Sequence, residues 1–140
     1  MNDLFKNETV IISGGLGDIG RATALEFAKC GANIALCDVH AASDAQNFLR
    51  ELSPYEIKSV YNQVDVTDAN AIRNWVMNVE DKLGVAGIII ANAATVTFAG
   101  IHEITPEQWS QELRVNLDGA FYLTQSATAR LLHHRRSGRV

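Results

Sequence analysis

One feature constrains this chain more than any other: a glycine-rich turn set between a β-branched run and a stretch of helix formers. Thr9-Val10-Ile11-Ile12 leads directly into Ser13-Gly14-Gly15-Leu16-Gly17-Asp18-Ile19-Gly20, and Arg21-Ala22-Thr23-Ala24-Leu25-Glu26-Phe27-Ala28-Lys29 follows. The apolar run is too continuous for a half-exposed strand, which predicts burial on both faces. Gly31 stands where a left-handed helix terminus is wanted. Strand, tight turn and helix in that order open a crossover unit of a parallel sheet. Tight strand–helix turns need glycine for backbone reasons alone. The same turn is also where the N–H groups of a helix N-terminus cradle a pyrophosphate. A second residue favours the cradle. The next apolar run, Ile34–Cys37, ends at Asp38, 18 positions after Gly20, close to the ~20 expected for a ribose-binding carboxylate.

The alternation continues along the chain. A polar helix near Ala42–Leu52 stops at Ser53-Pro54, because proline cannot continue the hydrogen-bond ladder. A third strand alternates around Val60, Asn62 and Val64 and ends at Asp65; the helix after Thr67 carries Ile72, Val76, Val79 and Leu83 as one apolar stripe. Gly84 ends that helix, and Gly87-Ile88-Ile89-Ile90-Ala91 reads as another doubly buried strand. A loop over Asn92–Ile104 gives way to Thr105-Pro106-Glu107-Gln108, a strong helix start with threonine at the cap and proline at the first helical position. The spacing predicts a long helix from there, with Trp109, Leu113, Leu117 and Ala120 on its apolar face, ending in His133-His134-Arg135-Arg136. The pattern implies an α/β fold with a doubly wound, Rossmann-type parallel sheet over residues 1–140 as one domain.

Composition narrows the setting. Twelve Lys and Arg against 16 Asp and Glu give a formal net charge of −4, which argues against binding nucleic acid by bulk charge. The longest apolar stretch, Val85–Ala91, is far short of the ~18 residues of a membrane span. The opening residues show no basic region leading into an apolar core. Cys30 and Cys37 form neither a disulfide framework nor a metal-ligand cluster. A soluble cytoplasmic protein without a metal site or membrane contact is the expectation. The basic run at 133–136 reads as a solvated helix end, where cations complement the dipole.

At the candidate site, Asp38 can accept both hydroxyls of an adenosine ribose and would repel a 2′-phosphate. Val39 and His40 beside it offer no Lys or Arg to hold one, so NAD is expected over NADP. Asp65 fits either a contact to adenine or a cap on the helix that follows Thr67-Asp68.

With these elements in order, the chain resembles the N-terminal part of a classical short-chain dehydrogenase/reductase. The family turn Thr-Gly-x-x-x-Gly-x-Gly is matched by Ser13-Gly14 through Ile19-Gly20, its acidic specificity position by Asp38, and its Asp-Val adenine contact by Asp65-Val66. Its Asn-Asn-Ala-Gly segment appears as Ala91-Asn92-Ala93-Ala94, and its Val-Asn-Leu as Val115-Asn116-Leu117, followed by Gly119-Ala120-Phe121. The resemblance implies that Gly14, Ile19 and Gly20 position the pyrophosphate. It implies that Asp38 holds the ribose, Asp65 and Val66 the adenine, and Asn92 with Ala93 the nicotinamide side. It gives Asn116 a place in a catalytic tetrad, where it helps hold a water in the proton relay. It further implies a homo-oligomer through the Thr105–Arg136 helix.

Departures from the family pattern carry their own expectations. Asp18 replaces the middle glycine, beside the pyrophosphate position; it is expected to turn back and cap the helix, with Gly17 supplying backbone freedom. Ser13 keeps the hydroxyl that the family directs toward the Asn92 segment. Ala91 and Ala94 drop an amide and a glycine, so that loop is expected to sit differently. Asn116, three residues after Leu113 and four before Ala120, reads from spacing alone as a buried amide satisfied by a neighbour or a water. The family's serine and its Tyr-x-x-x-Lys do not occur in residues 1–140, because Tyr55, Tyr61 and Tyr122 have Ser59, Asp65 and Ser126 four positions on.

The leading expectation is therefore the cofactor-binding half of an NAD-dependent oxidoreductase acting on an alcohol or carbonyl substrate. The sheet is expected to stop at the first residues of a fifth strand, Gly138-Arg139-Val140, leaving the chain inactive alone and the last helix with an uncovered apolar face. The alternatives are a non-catalytic nucleotide-sensing module on the same half-fold and a class I methyltransferase. The latter usually carries an acid just before its glycines, where this chain has Thr9–Ser13.

Overall fold

The computed structural model describes residues 3–140. Four strands, β1 (Thr9–Ser13), β2 (Asn33–Asp38), β3 (Ser59–Gln63) and β4 (Ala86–Ala91), form one sheet in the order β3-β2-β1-β4, with every pairing parallel. The connections are α1 (Asp18–Lys29), α2 (Ala42–Leu52) with a short 3₁₀ turn at Ser53–Tyr55, and α3 (Ala69–Leu83). Beyond β4 the chain runs through a loop into α4 (Pro106–Leu113) and α5 (Gly119–His133). Arg139 then forms an isolated parallel bridge to Ile88, donating its N–H to the Gly87 carbonyl and accepting from Ile89 N–H, both at 2.9 Å. This bridge lies against β4, the edge strand of the four-stranded sheet.

The period of two along each strand sorts the core into two layers. Ile11, Ala35, Cys37 and Ile89 face α3 and α5, meeting Ile72, Trp75, Val76, Val79, Leu123 and Ala127. Val10, Ile12, Ile34, Leu36 and Ile88 face the other way, onto Ala24 and Ala28 of α1 and Phe48 and Leu52 of α2. Every residue of β1 is buried, as its unbroken run of apolar side chains requires in a sheet covered on both faces. The architecture is the doubly wound Rossmann type. Among the described residues no helix is long and apolar enough to cross a membrane.

Local signals explain most boundaries. Gly31 adopts φ +84° at the end of α1. Asp68 caps α3 by accepting from Asn70 and Ala71 N–H, and Thr105 and Gln108 form a reciprocal capping box on α4. One expectation fails. Trp109, Leu113 and Leu117 do not face the core: they are 54%, 38% and 61% exposed, and the buried positions are Gly119, Leu123, Ala127 and Leu131. Between α4 and α5 the helix passes through a π stretch, Arg114–Asp118. Its wider turn adds about one residue, which rotates the apolar stripe by roughly 100°. Trp109 and Leu113 are exposed already ahead of that stretch, so the stripe predicted from Trp109 lies on the outer face from its start.

The basic run ending α5 is exposed, and two of its residues are also paired. Arg130 makes two hydrogen bonds to Glu80 of α3, at 2.6 and 2.9 Å, His134 donates to the same carboxylate at 2.7 Å, and Arg136 faces Glu8. The Arg130 bonds, reinforced by His134 against the opposing effect of burial, lower the Glu80 pKa from 4.5 to about 2. A carboxyl held low in the folded state stabilises fully above about pH 4.5 and loses that contribution as pH falls toward 2. Glu80→Gln is accordingly expected to lower Tm by a few degrees at pH 7 and to flatten the acid limb of stability between pH 4.5 and 2. Thermal melts of both proteins across that range check it.

Candidate functional site

The cleft lies at the carboxyl ends of β1 and β4, where connections leave the sheet in opposite directions. Open α/β sheets bind ligands at such a switch point. Its volume is about 710 Å³, within the range of about 300–1,000 Å³ usual for small-molecule sites.

The floor is the glycine turn. Gly14 adopts φ +65°, and a Cβ there would stand 2.8 Å from Ala93 Cα. A methyl on Gly20 would drive into the Gly14 carbonyl oxygen and lie 3.0 Å from Gly15 Cα. These two glycines let α1 begin directly against the end of β1. Gly17, by contrast, has φ −72°, which any residue can adopt, so the backbone freedom expected of it is supplied by Gly14. The N–H groups of the first turn, those of Asp18, Ile19 and Gly20, have no intrahelical acceptors, and Asp18 and Ile19 line the cleft. The Ile19 side chain is 73% exposed in the cleft wall. Asp18 does not cap α1. It is the first helical residue after the cap Gly17, which makes no side-chain cap bond. One position too late to reach back to the first N–H groups, it complements the helix dipole only as a charge.

Asp38 closes one end of the cleft. One carboxylate oxygen accepts from Leu16 N–H at 3.1 Å; the other accepts from Val39 N–H at 2.8 Å and from His40 Nδ1 at 2.7 Å. The carboxylate therefore ties the glycine turn to the end of β2. Asp65 lies across the cleft, with one oxygen accepting from Thr67 N–H and Oγ1. The cap on α3 belongs to Asp68 instead, which answers half of the question the sequence left open about Asp65. Val66 is buried beside it, with Gly119 close enough that a Cβ would meet Val66 Cγ2 at 2.7 Å.

Ser13 joins the two strands at the switch point. Its Oγ accepts from Asn92 N–H at 3.1 Å and Ala93 N–H at 3.2 Å, the contact expected of its hydroxyl. The Asn92 amide donates to the Ser13 and Gly14 carbonyls. Asn92 thus fixes the turn, and its side-chain donors are occupied.

Asn116 is exposed, contrary to the buried amide its spacing suggested, because Leu113, whose face it was expected to share, is itself exposed. Both ends of its amide meet Thr95: Oδ1 accepts Thr95 N–H and Nδ2 donates to Thr95 O, each at 2.8 Å. Thr97 N–H bonds Glu112 on the same helix. Asn116 latches the loop after β4 to the helix. Asn116→Ala is expected to speed hydrogen exchange at Thr95 about tenfold, the worth of one to two hydrogen bonds; unchanged exchange would show the loop is held elsewhere.

Sequence reasoning missed His40 and Thr95 as cleft residues, and it missed the anchors behind the Asp38 turn described below. His40 had a signal in its place two residues after Asp38. Cys37, fully buried, has its thiol pKa pushed up by burial, which suits an inert core thiol.

The class defined by this fold and cleft is a Rossmann-type α/β domain with a glycine-lined site at the strand-order switch. Within that class, the chain belongs to the short chain dehydrogenase family, whose model matches residues 8–140. It is 31% identical over 145 residues to an L-rhamnose-1-dehydrogenase of Scheffersomyces stipitis, covering 100% of this chain and 55% of that protein. It is 28% identical over 136 residues to an L-rhamnose 1-dehydrogenase (NADP(+)) of Thermoplasma acidophilum, covering 97% and 54%. Among solved structures it superposes with a TM-score of 0.89 on carveol dehydrogenase from Mycobacterium avium in complex with NAD, at 25% identity, covering 96% of this chain and 53% of that one. The chain spans about half the length of the curated relatives it matches. Its family membership sets the methyltransferase alternative aside.

Proposed function

We propose that the chain is the cofactor-binding part of an NAD-dependent oxidoreductase acting on an alcohol or carbonyl substrate. The observation that carries this reading is the Asp38 carboxylate at the cleft, held by Leu16 and Val39 N–H. None of the described residues lining the cleft is Lys or Arg, whereas Asp18, Asp38 and Asp65 all line it. A ribose diol can donate to Asp38, but a 2′-phosphate would meet carboxylates without a cation. One of the relatives named above carries NADP(+) in its name, which makes the preference a matter for measurement.

In this reading the glycine turn fits a pyrophosphate, since Gly14 and Gly20 let the start of α1 pack directly against the end of β1 and against Ala93. The unpaired N–H groups of Asp18, Ile19 and Gly20 would receive its oxygens. Val66 would pack against adenine and the free oxygen of Asp65 would accept from its amino group. Ala93, fixed through Ser13, would border the nicotinamide side. The nicotinamide ring supplies the carbon that gives or takes hydride. Asn116 would hold the loop over that end and, once released from Thr95, a water in the proton relay. Residues 1–140 hold no Tyr-x-x-x-Lys, so on their own they are expected to bind NAD and transfer no hydride.

The exposed side chains Trp109, Leu113, Leu117 and Phe121 recur every four residues. They support the further proposal of a homo-oligomer through this helix.

Calorimetric titration with NAD and NADP tests the function. NAD binding with NADP at least about tenfold weaker supports it; binding of neither overturns it.

A further inference from the structure

Three consecutive carbonyls at the end of β2 and in the turn leaving it are all taken by the neighbouring strand or the residue following it. Val64 N–H donates to Asp38 O at 2.8 Å, Gln63 Nε2 to Val39 O at 2.8 Å, and the Tyr61 hydroxyl to His40 O at 2.6 Å, with Asp38 O also 3.3 Å away. Nothing in ordinary sheet pairing requires the last two. They are side-chain bonds from Ser59–Gln63 to the turn leaving β2. The same turn carries the Asp38 carboxylate and the His40 ring bonded to it. Burial, with the Asp38 charge adding, pushes the Tyr61 hydroxyl pKa up to about 12, so it remains a donor at neutral pH.

We infer that Tyr61 and Gln63 are positioning residues that set the cofactor preference from one strand away, by pinning the turn that presents Asp38 and His40 to the adenosine ribose. A planar peptide fixes its N–H once its carbonyl is fixed. Holding the Val39 and His40 carbonyls on β3 therefore fixes the backbone on both sides of His40. A pinned turn keeps the Asp38 carboxylate where a ribose diol can reach it and a 2′-phosphate is repelled. A released turn lets Asp38 and His40 swing aside, which costs NAD its acceptor and relieves the repulsion of NADP. Neither Tyr61 nor Gln63 lines the cleft, so the effect passes wholly through the turn. This inference rests on the proposed dinucleotide site.

The test is titration of the full chain and of Tyr61→Phe, Gln63→Met and the double variant with NAD and NADP, with melting curves for each. NAD binding is expected to weaken about three- to tenfold per bond removed and NADP binding by less than about twofold, so that the preference narrows. Equal weakening of both ligands, or an unchanged ratio, overturns the inference, because a purely structural loss would fall on both alike. Gln63 is exposed, so Gln63→Met keeps the test decisive should Tyr61→Phe fail to fold. A parent chain that prefers NAD beside variants with an unchanged ratio sinks the clamp alone. A parent chain that binds neither dinucleotide, or prefers NADP, sinks the NAD site and the clamp together.

Discussion

Gly20→Ala is expected to destabilise the chain by about 2–3 kcal/mol, the range of forced overpacking against backbone, and to abolish measurable dinucleotide binding. The added methyl meets the Gly14 carbonyl oxygen and Gly15 Cα, which are backbone atoms with no rotamer to yield. Relief requires α1 to move away from β1, and that movement opens the cradle whose N–H groups would receive the pyrophosphate. Gly17→Ala provides the contrast within the same turn. Its methyl would lie 3.5 Å from Gly14 O, an ordinary contact, at φ −72°, so a loss under about 1 kcal/mol is expected. Thermal melts and titrations of the two variants side by side check both. Equal effects would mean that glycine content, rather than the Gly14–Gly20 approach, governs the turn.

Asp38→Ala carries the largest expected change in selectivity. Removing a charged acceptor from two ribose hydroxyls should weaken NAD about 30-fold, from about 2 kcal/mol of charge-assisted bonding. NADP should weaken much less or improve, since the repulsive charge goes with the side chain. The substitution also strips Leu16 and Val39 N–H of their acceptor, so some loss of stability is expected as well. Asp38→Asn reduces the structural loss, keeping one of the two acceptor oxygens of the turn while removing the charge. If Asp38→Asn leaves the ratio of NAD to NADP affinity unchanged, charge does not determine the preference.

The first half of the fold is legible in the sequence because its determinants are local. β1, the glycine turn, α1 and Asp38 are set by neighbours in the chain, and the crossover connections leave a parallel sheet as the natural solution. Capping at Thr105 and the stop at Ser53-Pro54 are legible for the same reason. The helix over 105–136 is not. Its large apolar side chains Trp109, Leu113 and Leu117 lie on the outer face, so Leu123 and Ala127 rather than Leu117 and Ala120 are core residues and Asn116 emerges on the surface. Pairings across the fold were equally out of reach. Arg130 with Glu80, and Tyr61 and Gln63 with the turn after Asp38, join residues between 21 and 50 positions apart, and no periodicity encodes them. At the site, residue identities were legible while their engagements were not. Asp18 looked like a cap and is not one. The amide donors of Asn92 hold Ser13 and Gly14, an engagement its place in the motif did not reveal.

The central claim is that one dinucleotide lies across the switch point from Asp38 to Ala93. Amide NMR spectra of the chain titrated with NAD test it most directly. The account predicts shifts concentrated at Leu16, Ile19, Val39, Val66 and Ala93, with Glu80, Arg130 and the Thr105 capping box unmoved. Shifts that are absent, or that gather on Trp109–Phe121 instead, would contradict it.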